Sequence, residues 1–293
     1  MRHAMLICVH KNFNILQSFI DLFDDERFDF YILLDKKVPV DETKILQRHP
    51  QKSKLYFCPR INILWAGHSQ IKAVLELFKI SSENKYDYYH FFQGSDFPLK
   101  TCNYVDSFFS QNKGKEFINI YLSEFAKTKC GYYHFFTNNR YYRYNILFKA
   151  ADKILLMFQK LLRIHRNQDL PLYAGSALTS LTHACVMYIL SKEPEIRRRF
   201  YYSLAADEVF LQTMIGNSPF RDKIYQFDQT SHANVRLIDW EKRDDNSPYT
   251  FKSNDFEMLI HADSDICFAR KFDENIDFEI VQKLFDFLSN QTG

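Results

Sequence analysis

The sequence predicts an α/β protein built on an open, mostly parallel, Rossmann-like sheet flanked by helices. Three observations carry this. Short apolar runs alternate with stretches of helical spacing over residues 1–110, and each run closes on polar or charged residues. The 293 residues contain no Gly/Ser- or Pro-rich linker, no repeat and no low-complexity tract, so residues 1–293 are expected to form one unit.

HAMLICVH (3–10) is the first apolar run, ending in His10, Lys11 and Asn12. NILQSFIDLF (14–23) then sets Ile15, Phe19, Ile20 and Phe23 on one helical face. FDFYILLD (28–35) predicts a second strand, closed by Asp35 and a lysine pair, and KLYFCP (54–59) a third, halted by Pro59. SQIKAVLELFKIS (69–81) predicts a helix with Ser69 near its N-cap. YDYYHFFQGSDFPLKT (86–101) opens as a buried strand, with six of its first seven residues aromatic or histidine, and turns abruptly polar at Gln93. In open parallel sheets, ligands bind outside the carboxyl ends of the strands. Gly94 would let the backbone approach such a ligand, with Asp96 and Lys100 beside its polar groups. The alternative is a plain turn over 95–98.

Beyond residue 110 the alternation weakens. NILFKAADKILLMFQKLLRIH (145–165) reads as a helix with Leu147, Ala151, Ile154, Leu155, Phe158, Leu161 and Leu162 in one stripe, and Lys149, Lys153, Lys160, Arg163 and the following Arg166 carry positive charge across the rest. Such a helix ordinarily packs its stripe on the core and solvates its charges. The alternative is to lie on an anionic bilayer through 145–166. YAGSALTSLTHACVMYIL (173–190) predicts a turn running into an apolar helix, and SLAADEVFLQTMIGN (203–217) a helix starting near Ala205–Asp207 and stopped at Gly216. VRLIDW (235–240) is strand-like, SNDFEMLIHAD (253–263) opens with a capping pattern at Ser253 or Asn254, FARKFD (268–273) reads as a basic loop, and DFEIVQKLFDFL (277–288) closes the chain as an amphipathic helix.

Composition narrows the function. A net charge of +2 from 38 basic and 36 acidic residues gives no reason to expect nucleic acid. Six scattered cysteines without CxxC spacing suit a reducing compartment. MRHAMLICVHKN is too short an apolar run for a signal peptide or an anchor, so a cytoplasmic protein is expected, with peripheral attachment to a membrane left open. Phosphate loops, nucleophile elbows and HExxH are absent. One DxD, Asp263-Ser264-Asp265, follows a helical segment and is read as its terminator; the rival is a divalent-metal site. Asp207-Glu208 is read as a helix-capping pair; the rival is a catalytic Glu208, sharing a face with Gln212.

Taken in order, VHKN (9–12), ILLDKK (32–37), ILWAGHSQIKAVLELF (63–78), YHFFQGSDFPLKT (89–101), YAGSALTSLT (173–182), AADEVFLQT (205–213), VRLIDW (235–240) and CFARKFD (267–273) resemble the blocks of glycosyltransferase family 14. That family holds the core-2/I-branching β-1,6-N-acetylglucosaminyltransferases and the peptide O-xylosyltransferases. The resemblance implies a GT-A-like fold with a nucleotide-sugar half over 1–110 and a mixed acceptor-binding and catalytic half over 111–293. It implies inverting transfer from a UDP-sugar, N-acetylglucosamine foremost, to a hydroxyl of a glycan or lipid-linked glycan, with no metal and no other cofactor. Glu208 falls on the family's catalytic base, and Lys271, with Arg270 beside it, on the lysine that holds the donor diphosphate. Gly175, Ser176 and Trp240 fall on the acceptor region. His10, Asp35 and Asp96, ending strands on the crevice side, are expected to frame nucleotide and donor sugar.

The family's second diphosphate-binding basic residue has no counterpart in DDNSPYTF (244–251); Lys242, Arg243, Lys252 and Arg270 are the candidates. Relatives outside the cytoplasm use disulfides and a membrane anchor. The sequence shows neither, which fits a bacterial cytoplasmic member making surface polysaccharide. Rival readings are a xylose donor, a sugar-binding protein that has lost catalysis, and metal-dependent chemistry at Asp263 and Asp265. The 138–167 stretch is expected to shape acceptor access.

Overall fold

A computed structural model describes residues 1–41, 44–227, 232–243 and 247–291. In chain order the elements are β1 (His3–Val9), α1 (Phe13–Leu22), β2 (Phe28–Leu34), β3 (Leu55–Cys58), α2 (His68–Ser82), β4 (Tyr88–Gln93), β5 (Asp96–Pro98) and α3 (Cys102–Gln111). Then come β6 (Tyr121–Leu122), α4 (Glu124–Cys130), α5 (Ile146–Leu161), β7 (Tyr173–Ala174), β8 (Ser180–Thr182), α6 (His183–Ser191) and α7 (Glu193–Phe200). The chain closes with α8 (Phe210–Gly216), β9 (Arg236–Ile238), α9 (Phe256–Ile260), β10 (Phe268–Arg270) and α10 (Glu279–Ser289).

The central sheet runs β3-β2-β1-β4-β8, parallel except for β8. Strand alternation explains its two-sided burial. Ala4, Leu6, Tyr31, Leu33, Tyr89 and Phe91 face one core, under α2, α6 and α8. Met5, Ile7, Phe30, Ile32, Tyr88 and Phe92 face the other, under α1, α3 and α10. This mixed α/β arrangement, parallel-rich and covered by helices on both faces, is compatible with the GT-A-like expectation. Chain segments from both sides of residue 110 pack on the same sheet. His90 is tolerated in β4 because its ring nitrogens meet His3 Nδ1 at 3.0 Å and Ser180 Oγ at 2.8 Å, while burial holds its pKa well below the usual histidine value.

A second sheet, β5-β10-β9, joins the C-terminal end of β4 to the end of the chain. Arg270 lies opposite Asp96 in the antiparallel β10–β5 pair and opposite Ile238 in the parallel β10–β9 pair. Phe268 reaches back to Phe92, ring centroids 4.8 Å apart at 73°, so an edge-to-face contact ties the two sheets.

Several sequence expectations are corrected. FARKFD is not a loop: its first three residues are the central strand of the second sheet. The 173–190 stretch holds two short strands before its helix. The helix expected from 205 is broken in two: a 3-10 turn over Ala206–Glu208, then α8 from Phe210. Gly67, not Ser69, is the N-cap of α2, and Ser69 Oγ accepts the Leu64 amide instead. Ser253 bonds Asp277 rather than capping α9. Lys100 does not flank a ligand crevice, because Nζ donates to the Ala262 carbonyl, beyond the far end of β10. Most consequential, α5 buries Asp152 and Gln159 and turns its apolar stripe outward. All six cysteines are free thiols. Among the described residues, no helix is long and apolar enough to cross a membrane.

Candidate active site

The ends of β1, β2, β4, β9 and β10 and the start of β5 converge on one edge, and two hydrogen-bonded clusters meet there. The first joins segments 9–12, 93–96 and 270–273. Asn12, in the left-handed region at φ 63°, sends Nδ2 to Ser95 Oγ at 3.0 Å and to the Phe272 carbonyl at 3.3 Å. The Phe272 amide returns to the Ser95 carbonyl at 2.8 Å, and Lys11 Nζ pairs with Asp273. Gly94 fits because a Cβ there would lie 2.8 Å from Val9 Cγ2 and 3.0 Å from the Lys11 carbonyl oxygen. Its close approach is therefore to the chain leaving β1, not to a ligand.

Within this cluster Arg270 is held rigidly. Nη1 pairs with Asp96 Oδ1 at 2.8 Å and Nη2 donates to Gln93 Oε1 at 2.6 Å, while Asp96 Oδ2 accepts the Gln93 amide at 2.7 Å. Asp96 thus acts on any ligand through the guanidinium it orients. Lys271 Nζ donates to Ser247 Oγ at 3.0 Å, and its carbonyl accepts the Phe251 amide at 2.9 Å. Asp35, past the end of β2, is buried and turned to its own loop, accepting the Lys37 amide at 3.0 Å and pairing with Lys37 Nζ at 3.3 Å. His10 is exposed next to it; partial burial of the ring, then Lys11, lowers its pKa, and Asp35 opposes them. Of the DDNSPYTF segment, residues 244–246 lie outside the described residues.

The second cluster carries Glu208. Two alanines in the left-handed region, Ala66 (φ 60°) and Ala205 (φ 47°), face each other, and the Ala205 amide donates to the Ala66 carbonyl at 2.9 Å. Each such residue costs about 1–2 kcal/mol, which the surrounding bonds must offset. Gln70 Nε2 donates to Asp207 Oδ2 at 3.1 Å and the Leu204 amide to the Lys129 carbonyl at 3.0 Å. On the other side, the Gly175 amide donates to the Glu208 carbonyl at 3.0 Å and Gln212 Nε2 to the Ser176 carbonyl at 2.7 Å. A Cβ at Gly175 would stand 2.0 Å from the Asn119 carbonyl oxygen, so only glycine lets this loop pass the backbone at Asn119. Gly175, Ser176 and Glu208 are therefore brought together. Trp240 stands half-exposed two residues past the end of β9, on the side where Arg270 ends β10.

Electrostatics link the clusters. Burial raises the Glu208 pKa, and the charges of Lys129 and Arg270 pull it back down. The adjacent Asp207 carboxyl is pushed up to about 7, by burial first and by Glu208 second. The base form of Glu208 therefore depends on Lys129, which no sequence motif marked. Lys129→Met, which keeps the alkyl stem, should raise the Glu208 pKa. With Glu208 read as a general base, whose unprotonated form is the active one, kcat/KM should fall several-fold on the acid side and recover on the alkaline side. An unchanged pH profile of this variant would remove Lys129 from the site.

Asp263-Ser264-Asp265 lies before the N-terminal end of β10, at the opposite end of that strand from Arg270; Asp265 Oδ2 accepts from Gln226 and the Ser264 carbonyl from Tyr104. Among the described residues, no group of three or more His, Cys, Asp or Glu side chains is placed to hold a metal ion. Besides Lys129, sequence reasoning missed Gln70, although it lies inside the quoted ILWAGHSQ block, and Arg236. The latter is fully buried, donates to the carbonyls of Asn234, Phe91 and Thr179, and has its pKa lowered to about 10 by burial. It pins the loop after residue 178 to the end of β4.

Comparison with known proteins places the chain in a family. The family model described as Branch, the core-2/I-branching enzyme, matches residues 4–261, a span that ends before the 267–273 block. Xylosyltransferase 2 of Canis lupus familiaris and of Rattus norvegicus are each 22% identical over 252 residues, covering 83% of this chain. The chain spans 27% of the length of these curated relatives.

Proposed function

The chain belongs to the core-2/I-branching enzyme family, and from that premise we propose that it is an inverting, metal-independent glycosyltransferase using a UDP-sugar donor and a glycan hydroxyl as acceptor. The observation that carries the reading is the placement of Glu208. Its carboxyl sits on a strained turn bonded to the Gly175 loop and within the field of Arg270, which ends the strand next to β5.

In the proposed reaction the acceptor oxygen attacks the anomeric carbon from the face opposite the nucleotide. The bond from that carbon to the β-phosphate oxygen breaks, its electron pair leaves with UDP, and the acceptor proton passes to Glu208. An alcohol is too weak an acid to lose its proton unaided, so a carboxylate in hydrogen-bond reach lowers the barrier. The growing charge on UDP is met by Lys271 and by Arg270, pre-oriented by Asp96 and Gln93. His10 and Asp35 border the nucleotide end. Gly175 and Ser176 bound the acceptor side, and Trp240 offers a ring face to the C–H side of a sugar.

Because fixed cations take the place of a metal in this proposal, turnover should be unchanged by EDTA; full loss restored by Mn²⁺ would return attention to Asp263 and Asp265. N-acetylglucosamine is the donor proposed first. Xylose is the second reading, favoured by the names of the relatives reported above. A panel of UDP-sugars, read by thermal stabilisation and by UDP release, separates the two. The proposed setting is surface polysaccharide synthesis on the cytoplasmic side of a bacterial membrane.

A further inference from the structure

Helix α5 is built inside out. Its two buried side chains are polar: Asp152 Oδ2 meets His134 Nδ1 at 2.6 Å and accepts from Tyr142 OH at 3.3 Å. Seven residues on, Gln159 clasps the backbone of Tyr133, accepting its amide at 2.8 Å and donating to its carbonyl at 2.9 Å. Two polar anchors two turns apart fix the rotation of the helix about its axis. The opposite face is then displayed by construction. Ile146, Leu147, Ile154, Met157, Phe158 and Leu161 are each more than half exposed.

Charge identifies what covers this face. Lys149, Lys153 and Lys160 run down one flank, all exposed. Between 138 and 168 there are seven Lys/Arg residues and a single acidic one, the buried Asp152. Tyr141 and Tyr144, just before the helix, are exposed as well, the side-chain type that settles at a membrane–water boundary. An apolar face with a basic border and no exposed acid matches an anionic bilayer. A second copy of this chain fits less well, because an antiparallel two-fold pairing of the face would set lysine flanks against each other and a parallel one would gather two lysine rows with no acidic row to meet them. At about 24 Å the helix could only lie along a membrane surface, not cross it.

We propose that α5 is the surface by which this protein docks on an anionic lipid bilayer, bringing the Glu208 turn to an acceptor carried in that membrane. The second half rests on the function proposed above. The connection is short: Asn138 Nδ2 donates to the Tyr201 carbonyl at 2.9 Å and its Oδ1 accepts the His68 amide at 2.9 Å, while the His134 amide donates to the Tyr202 carbonyl at 2.7 Å. The segment supporting α5 is thereby fastened to the stretch leading into Ala205–Glu208.

Flotation of the whole protein with vesicles tests it. Vesicles of phosphatidylcholine mixed with phosphatidylglycerol should capture the protein at least about tenfold better than phosphatidylcholine alone, with capture falling as salt is raised. Leu147→Glu with Met157→Glu, both fully on the displayed face, should abolish capture while thermal unfolding and UDP release in vesicle-free solution stay near wild type. Lys149→Glu with Lys153→Glu should weaken capture without touching the apolar face. No preference for anionic vesicles, or a solution dimer that the Leu147/Met157 variant dissolves, overturns the docking proposal. Loss of docking with intact UDP release leaves the transferase reading standing. Normal docking by a protein that releases no UDP from any UDP-sugar defeats that reading alone.

Discussion

Glu208→Gln is expected to cut turnover by about a hundredfold to ten-thousandfold while UDP still binds. Glutamine keeps the shape of the side chain and removes its ability to take a proton. The turn itself should persist, because it is held through backbone groups: the Glu208 carbonyl accepts the Gly175 amide, and Ala205 is bonded to Ala66. UDP affinity should hold or rise slightly, since the substitution deletes a negative charge within the field of Arg270. A diagnostic sign accompanies the loss. In the wild type, burial lifts the Glu208 pKa above the ordinary glutamate value, so with Glu208 as the proposed base activity should fall as pH drops through that raised value. The residual activity of the variant should lack this acid limb. Near-normal turnover, or an unaltered acid limb, would assign the base elsewhere, with Asp207 the first candidate because its own pKa of about 7 suits the task.

How far the sequence revealed this site depends on what kind of signal each residue carried. β1, β2 and β4 were legible because long apolar runs ended on His10, Asp35 and Gln93, and the sheet places those ends together. β10 was not, because three residues, Phe-Ala-Arg, are too few to show a period, and its strand character comes from the partners β5 and β9. The break at Val209, which puts Glu208 on a 3-10 turn instead of a helix, is set by the Gly175 and Ala66 contacts, none of which is local. For α5 the period was right and the direction wrong. Periodicity says which residues share a face; it does not say which way that face points. The direction is decided by His134 and Tyr133, which reward Asp152 and Gln159 for turning inward. Lys129 sits in the stretch where alternation fades, so no pattern could single it out.

Lys271→Ala is expected to weaken UDP about ten- to hundredfold and to lower kcat by about 10²–10³, leaving acceptor binding nearly unchanged. Lys271, and not Arg270, is the informative cation to remove. Arg270 is the partner of Asp96, whose side chain is 2% exposed, so removing the guanidinium strands a buried carboxylate. That costs about 3–5 kcal/mol of stability and confounds any kinetic reading. Lys271 is half-buried and donates to the Ser247 hydroxyl, and thermal unfolding of the variant, measured beside its kinetics, separates lost stability from lost turnover. Charge on the departing diphosphate is larger in the transition state than in the bound donor. A fixed ammonium near it therefore stabilises the transition state more than the ground state, and kcat must fall along with affinity. Lys271→Arg keeps the charge but changes its shape, and should recover much of the UDP affinity and less of the turnover. If Lys271→Ala binds UDP as tightly as wild type and turns over normally, the diphosphate lies against other residues, and Lys11, paired to Asp273 in the same cluster, becomes the cation to remove next.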